Sequence, residues 1–332
     1  MKAAVIREYG QPLDVADVSV PDVEKGEVLV RVRACGICGT DLKIASGSLV
    51  HTPLPLIPGH EVAGEVVDDV DDLNRGQRVA CYIYSSCQQC LWCRSGQESI
   101  CPTARRIGFE ENGGLAEYIR MRRRSVIPFG DSLSFEAAAV SMDAVVSPWR
   151  ALCVRARVQS GEMVVIAGAG GLGLNGVQIA RHAGARVAVV DPVASHRTQA
   201  EREGADLAVA PEEVERVRDW AKGGADVGLE TSGKRSGFDA LVRAVRDGGR
   251  IVLCGYEIGK EYGLDATRFA LQEMVVMGSR AGSLQDAQDA LKAVEQGAIK
   301  PSVTERLPLD EVNKALARLK AGDIVGRLVI HL

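Results

Sequence analysis

The chain predicts an α/β protein of two domains, a β-rich first half followed by a doubly wound parallel sheet. Its 332 residues exceed one ordinary small domain and suit two of about 100 to 200 residues each. Thirty-six glycines set against 4% aromatic residues favour many tight strand-to-helix turns, where glycine takes φ > 0 without penalty. The apolar pattern also changes character near Pro148.

Residues 1–147 carry short β-type runs (EVLVRVRA, HEVAGEVV, QRVACYIY) broken by Gly, Pro and Asp turns, with few long amphipathic helices. Residues 148–282 alternate apolar strands (MVVIAG, RVAVVD, VGLE, RIVLCG, MVVMGS) with helical stretches, the rhythm of βαβ units. In the tail, 283–332, two helix-like stretches (SLQDAQDALKAVEQG, EVNKALARLKAG) are split by a turn at Lys300-Pro301 and followed by a strand, GRLVIHL. Part of this tail is expected to return to the first domain.

Hydrophobic residues make up 46% and charged residues 25%, with mean hydropathy near zero, a composition of globular proteins. A net charge of −4 gives no global attraction to nucleic acid or an anionic membrane. The basic run Arg122-Arg123-Arg124 is the local exception and reads as a solvated turn. No uninterrupted apolar stretch reaches the roughly 18 to 20 residues of a membrane helix, and MKAAVI opens the chain as a strand. A cytoplasmic protein is therefore expected, and its nine cysteines point to metal or catalysis before disulfides.

Four of those cysteines, Cys87, Cys90, Cys93 and Cys101, fall in SSCQQCLWCRSGQESICP. Four soft thiolates within fifteen residues (C-x2-C-x2-C-x7-C) can close a tetrahedral shell around zinc or, by spacing alone, hold an iron–sulfur cluster. A shell of four Cys leaves no open position, so such a metal stabilises a lobe, about residues 81–105, and does not act on substrate. Trp92 is a candidate cover for it. Cys38, in ACGICGTDLKI, and His60, in PLIPGHEVAGEVV, are further ligand types, although taken alone they fit a small buried hydrophobe and a satisfied core imidazole.

MVVIAGAGGLGLNGVQIARHAGARVAVVD reads as strand, turn, helix and strand, with Gly168, Gly170 and Gly173 in G-x-G-x-x-G and Gly171 and Leu172 between them. The glycines allow a tight turn and close approach of backbone to a pyrophosphate, whose charge the helix N-terminus favours. Asp191, about twenty residues on, is placed to accept hydrogen bonds from an adenosine ribose and to repel a 2′-phosphate, which selects NAD over NADP. His196 and Arg197 beside it read as surface residues.

CGICGTDLKI, PGHEVAGEV, the four-cysteine lobe and the glycine motif follow one another in an order and spacing that resembles the zinc-containing medium-chain dehydrogenase/reductase (alcohol dehydrogenase) superfamily, over essentially the whole chain. The resemblance implies a GroES-like catalytic domain and a Rossmann coenzyme domain, an active-site zinc in the cleft between them, a second structural zinc, NAD, and a homodimer or homotetramer. It further implies that Cys38, His60 and Asp143 ligate the catalytic zinc, with Asp143 standing where many members carry Cys, and that Glu61 is the carboxylate beside it. Asp143 read alone is a helix cap. Thr40 matches the hydroxyl that takes the substrate proton, Asp41 the carboxylate that orients His60, and Ser147 a hydroxyl near the nicotinamide, while Gly39 and Lys43 replace a cationic pyrophosphate contact and a relay His. CGY at Cys254–Tyr256 and GSRAGS at Gly278–Ser283 resemble segments flanking the nicotinamide. The implied activity is NAD-linked interconversion of an alcohol (primary, secondary, cyclic or polyol) and its aldehyde or ketone. The substrate is a small molecule, with no nucleic-acid or membrane partner. The rival readings are a zinc-free quinone or enoyl reductase of the same superfamily and a non-catalytic NAD- and zinc-binding redox sensor. His51 and Trp149 are candidates to border the substrate.

Overall fold

The computed structural model describes residues 1–49, 52–322 and 324–332, so His51 lies outside the described residues. The chain divides into two compact units. The first takes Met1–Asp143, Gly282–Gly297 and Val303–Leu332, and the second takes Ala144–Ala281 and Ala298–Ser302.

In the first unit the long strand Glu27–Ile37 organises a sheet. Val28, Val30, Val32 and Ala34 turn inward at 1% exposure or less while Arg31 faces out, the period-2 alternation that a sheet with one solvated face requires. Burial of each valine contributes about 1.5–3 kcal/mol. From Cys35 to Ile37 both faces are buried, and there the strand meets the candidate site. Glu61–Val66 pairs with it antiparallel, Gly36 opposite Glu61, and so does the last strand, Arg327–His331, Leu328 opposite Ile37. The strands of the tail, Val303–Pro308 and Arg327–His331, are therefore part of the first unit's sheet, while Ala298–Ser302 belong to the second unit.

The second unit is a six-stranded, wholly parallel sheet in the order Leu207–Val209, Arg186–Val190, Met163–Ala167, Ala225–Glu230, Val245–Leu253, Val275–Gly278. Counted along the chain this is 3-2-1-4-5-6, and the order reverses between Met163–Ala167 and Ala225–Glu230, the place where such sheets open a ligand crevice at their carboxyl ends.

A helical run from Phe135 to Arg155 is 21 residues long and apolar enough by composition to cross a membrane, which reading for uninterrupted stretches missed because Glu136, Asp143 and Arg150 punctuate it. Of its most apolar window 72% is buried, as in a core helix. It contains two π-type segments, Ser141–Val145 and Arg150–Arg155, on either side of Pro148. Pro148 has no N–H to give the Ala144 carbonyl and its ring crowds that oxygen. The Asn175 amide donates to it instead, at 3.0 Å. Asp143 sits in the first widened turn, so it is an interior helical residue and not the cap of the next helix.

Candidate active site and metal centres

Residues far apart in the chain converge where Glu27–Ile37 ends. Cys38 is the N-cap of the helix Gly39–Ala45, and its backbone N–H donates to Asp41 Oδ2 at 2.8 Å. The other oxygen of Asp41 lies 3.2 Å from His60 Nδ1, at an angle short of a good hydrogen bond. That carboxylate favours the proton on Nδ1 and leaves Nε2 for the site. Phe109 packs edge-on against the His60 ring, centroids 5.3 Å apart, and the Arg106 guanidinium covers Phe109 at 4.0 Å. Asp143 Oδ2 lies 3.4 Å from Cys38 Sγ and 3.7 Å from His60 Nε2. Glu61 completes the group; ligand atoms of Cys38, His60, Glu61 and Asp143 all lie within 4.8 Å of one another.

Glu61 can lie there because residue 36 is glycine: a Cβ at Gly36 would collide with Glu61 Oε2. Its Oε1 accepts from Arg327 Nε at 3.0 Å, and Arg327 also reaches Cys38 Sγ at 3.5 Å and Asp143 Oδ2 at 3.4 Å. Sequence reasoning missed Arg327. The available signal was a lone arginine heading the apolar run Leu328–Ile330, where a buried cation requires anions nearby. Burial pushes the Glu61 carboxyl well above the usual carboxylate range, with Arg327 pulling against it. Burial also works against charge on His60, but Asp41 and Asp143 outweigh it and raise the imidazole.

These features fit a bound cation. Two carboxylates and a thiol face one arginine in a buried space, and Glu61 Oε2 has no hydrogen-bond partner among the described residues. A sulfur, an imidazole nitrogen and carboxylate oxygens form a donor set suited to Zn²⁺. Thr40, half-buried, follows Cys38 by two residues in the first turn of Gly39–Ala45, and Lys43 lies in its last turn.

The second cluster is built locally. Cys87 precedes a turn with Gln88 at φ +63°, Cys90 caps the short helix Leu91–Arg94, Cys93 lies within it, and Cys101 follows a 3-10 turn. The sulfur separations are 3.8 Å (Cys87–Cys93), 3.5 Å (Cys90–Cys93) and 3.6 Å (Cys101–Cys87). A disulfide needs about 2.05 Å, whereas a tetrahedron with Zn–S bonds of about 2.3 Å has edges of about 3.8 Å. The spacing thus fits a shell around one ion, not thiolates spread over several irons. Burial opposes charge on Cys101, but backbone groups of Cys87 and Thr103 and the Thr103 hydroxyl bring it down to about 6, while burial pushes Cys93 up to about 12. A cation is needed to hold all four as thiolates. Trp92 does not seal the cluster, being 38% exposed.

In the second unit, Gly168 turns the chain after Met163–Ala167 at φ +92°, and Gly170 caps the helix Gly171–His182, with Gly171 and Leu172 in its first turn. A Cβ on Gly173 would collide with the Gly168 carbonyl. Thr231 Oγ1 donates to the carbonyls of Ala167 and Gly168, both at 2.9 Å, bracing the turn from the neighbouring strand. Gly173→Ala is therefore expected to displace the turn and to weaken dinucleotide binding at least tenfold, about 1.4 kcal/mol, read as the fluorescence titration of NADH. Native affinity in that variant would remove the turn from the site.

Asp191 accepts from Ala169 N–H at 2.7 Å and Val193 N–H at 2.8 Å. Burial works against its charge, but His196, whose Nδ1 is 3.4 Å away, and these N–H groups hold the carboxyl below its usual range. The surface reading of His196 is corrected, since its side chain is 14% exposed. Arg197 is likewise engaged, donating to the carbonyls of Asp191 (2.8 Å) and Pro192 (3.0 Å). Ser147 is buried in the helical segment Val146–Trp149, and Trp149 lies near His182, centroids 6.2 Å apart. Cys254, Gly255, Tyr256 and Ser279 border a cavity of about 380 Å³ beside the stacked pair Phe238–Tyr262.

Residues 24–131 match the family model described as the alcohol dehydrogenase GroES-like domain, and residues 171–296 match the one described as zinc-binding dehydrogenase. The chain is 38% identical to an alcohol dehydrogenase of Geobacillus stearothermophilus, covering 100% of both. It is 31% identical to the D-arabinose 1-dehydrogenase (NADP(+)) of Saccharolobus solfataricus, covering 99% of this chain and 97% of that one. The crystal structure of the alcohol dehydrogenase of the archaeon Aeropyrum pernix superposes with a TM-score of 0.93 at 30% identity, covering 100% of both chains.

Proposed function

The chain belongs to the zinc-containing alcohol dehydrogenase family, and from that premise we propose that it is a zinc-dependent, NAD-linked dehydrogenase interconverting small alcohols and their carbonyl counterparts. The observation that carries the reading is the convergence of Cys38, His60 and Asp143, buried or nearly so, on one point with Glu61 and Arg327 beside it. Those three residues would hold a zinc ion, and the four-cysteine cluster a second. At the first site zinc supplies Lewis acidity that lowers the pKa of a substrate hydroxyl, and nicotinamide supplies the hydride acceptor.

The chain's own groups do the rest. Thr40 takes the proton of the substrate hydroxyl, and Asp41 holds His60 in the tautomer that presents Nε2. Arg327 sets its positive charge against Cys38, Glu61 and Asp143 and holds Oε1 of Glu61, so that Oε2 would be the oxygen available to an ion held there. The glycine turn Gly168–Gly173 would receive the coenzyme pyrophosphate and Asp191 the adenosine ribose, with Ser147 as a hydroxyl for the nicotinamide end. A homo-oligomer belongs to the same reading. It is supported by the edge strand Val275–Gly278, where Val275 (48%) and nearby Leu271 (80%) expose apolar surface.

The test is coenzyme reduction, followed by absorbance, with zinc-loaded protein across primary, secondary, cyclic and polyol alcohols. Turnover of one class establishes the activity and its substrate class together. Silence with intact NAD binding favours the non-catalytic sensor, and quinone reduction that survives zinc removal favours the zinc-free reductase.

Coenzyme choice gives a separate expectation. The fixed, charged Asp191 repels a 2′-phosphate, so NAD should exceed NADP at least tenfold in kcat/KM, about 1.4 kcal/mol, and Asp191→Ala should narrow the gap below about threefold. Equal use of both coenzymes by the native protein would remove that role from Asp191.

A further inference from the structure

The arginine run that the sequence presents as a solvated turn lines a concavity. Arg122, Arg123 and Arg124, together with Arg105, wall a groove of about 770 Å³ in the first unit, whose carboxylates are Asp72 and Glu111 and whose hydroxyls come from Ser85, Ser86 and Thr103. A second cavity of about 800 Å³ shares Arg105, Glu111 and Arg122 with it and adds Arg120. Four guanidinium groups against two carboxylates make a local positive excess in a chain whose net charge is −4.

The arginines are not equally engaged. Asp72 clamps Arg123 through two nitrogens at 2.7 and 2.6 Å. Arg105 donates through Nε to Glu111 at 3.0 Å and through one terminal nitrogen to the Glu110 carbonyl at 2.7 Å, and Arg124 donates to the Ser86 carbonyl. Each contact uses part of a five-donor fork and fixes the arm that carries the rest. Arg122 differs. Its only ion pair among the described residues is with Glu27 at 3.7 Å, where Arg120 competes at 3.4 Å, and its side chain is 53% exposed.

We propose that this groove is a second ligand site, which takes a small phosphorylated anion on the forks of Arg105, Arg122 and Arg124. Guanidinium forks match phosphate oxygens bidentately, and the hydroxyls supply neutral donors beside them. The volume is that of a small-molecule site, and a chain of net negative charge is a poor host for a polyanionic strand, so the ligand is a small molecule and not a nucleic acid. Cys87 also lines the groove, and the Ser86 carbonyl and hydroxyl accept from Arg124 and Gln88, so an occupant braces the edge of the four-cysteine lobe. The glycine turn proposed for the coenzyme lies in the other unit, and this site does not depend on that reading.

The experiment is calorimetric titration of the zinc-loaded full chain at low ionic strength, with saturating NAD present throughout, using inorganic phosphate, inorganic pyrophosphate and glucose 6-phosphate as separate probes. The expected result is saturable one-to-one binding of at least one probe, weakened at least tenfold in Arg122→Glu and also in Arg105→Gln, with NAD affinity, titrated separately in the absence of the probes, unchanged in both. A preference for the sugar ester identifies an organic phosphate as ligand, and equal binding identifies free phosphate. Absence of saturable heat with all three probes, or undiminished binding in Arg122→Glu, overturns the proposal.

Discussion

Cys38→Ser is expected to lower kcat/KM by on the order of 10³-fold or more, with NADH affinity held within about threefold and zinc content falling from two ions per chain to one. Cys38 is only 6% exposed, and its sulfur faces Asp143 at 3.4 Å and Arg327 at 3.5 Å. Serine is close in size, so packing changes little, but its hydroxyl does not ionise near neutral pH and is a harder, poorer partner for zinc. Loss of a residue that merely orients a ligand costs about 10–100-fold, and loss of a ligand should cost more. The turn proposed to hold the coenzyme is untouched, since Gly168, Gly173 and Asp191 belong to the other unit. Rapid turnover by the variant with one zinc remaining would take the metal out of the reaction; parallel loss of NADH binding would mean the substitution had damaged the fold.

The second large effect belongs to the four-cysteine cluster. Cys93→Ala should leave specific activity at low temperature within a few-fold of native while lowering the melting temperature by about 10 °C or more. Structural zinc contributes about 10–16 kcal/mol of binding free energy in isolated zinc-finger peptides. A loss of even about 4 kcal/mol corresponds to roughly 10 °C at about 2–4 °C per kcal/mol. The lobe has little else to hold it: Leu91 is 72% exposed, Trp92 and Ile100 are 38% exposed, and its helix Leu91–Arg94 is a single turn. Differential scanning fluorimetry and limited proteolysis check this, with the first cleavage expected within the lobe. An unchanged melting temperature and unchanged zinc content would show that the four thiols hold no structural ion.

Features that were legible in the sequence are those whose causes are local. The C-x2-C-x2-C-x7-C spacing announces its own cluster because fifteen residues cannot carry four sulfurs far apart. The G-x-G-x-x-G turn between an apolar strand and a helix is a local steric requirement, which the positive φ of Gly168 and the contact between Gly173 and the Gly168 carbonyl make explicit. The βαβ rhythm likewise predicts a parallel sheet, since a strand followed by a helix returns to the same edge direction.

Other features required the fold. Motif order named Cys38, His60 and Asp143, but their mutual distances depend on strands and a helix separated by as many as 105 residues. Arg327 stands 266 residues from the glutamate it pairs with and arrives only because the last strand joins Glu27–Ile37. The widened helical turn around Asp143 follows from Pro148 together with an amide from Asn175, and reading the residues near Asp143 in isolation suggested a cap instead. His196, polar and near a loop, read as exposed until the buried carboxylate of Asp191 gave it a partner. What this sequence determined alone was set by steric and spacing rules acting within about twenty residues: the strand-and-helix rhythm of each half, a thiol cluster, a tight glycine turn between strand and helix. What only the tertiary structure decided was the charge balance of the buried site, because a buried arginine and the acids around it are stable only together, and no short stretch of chain contains them all.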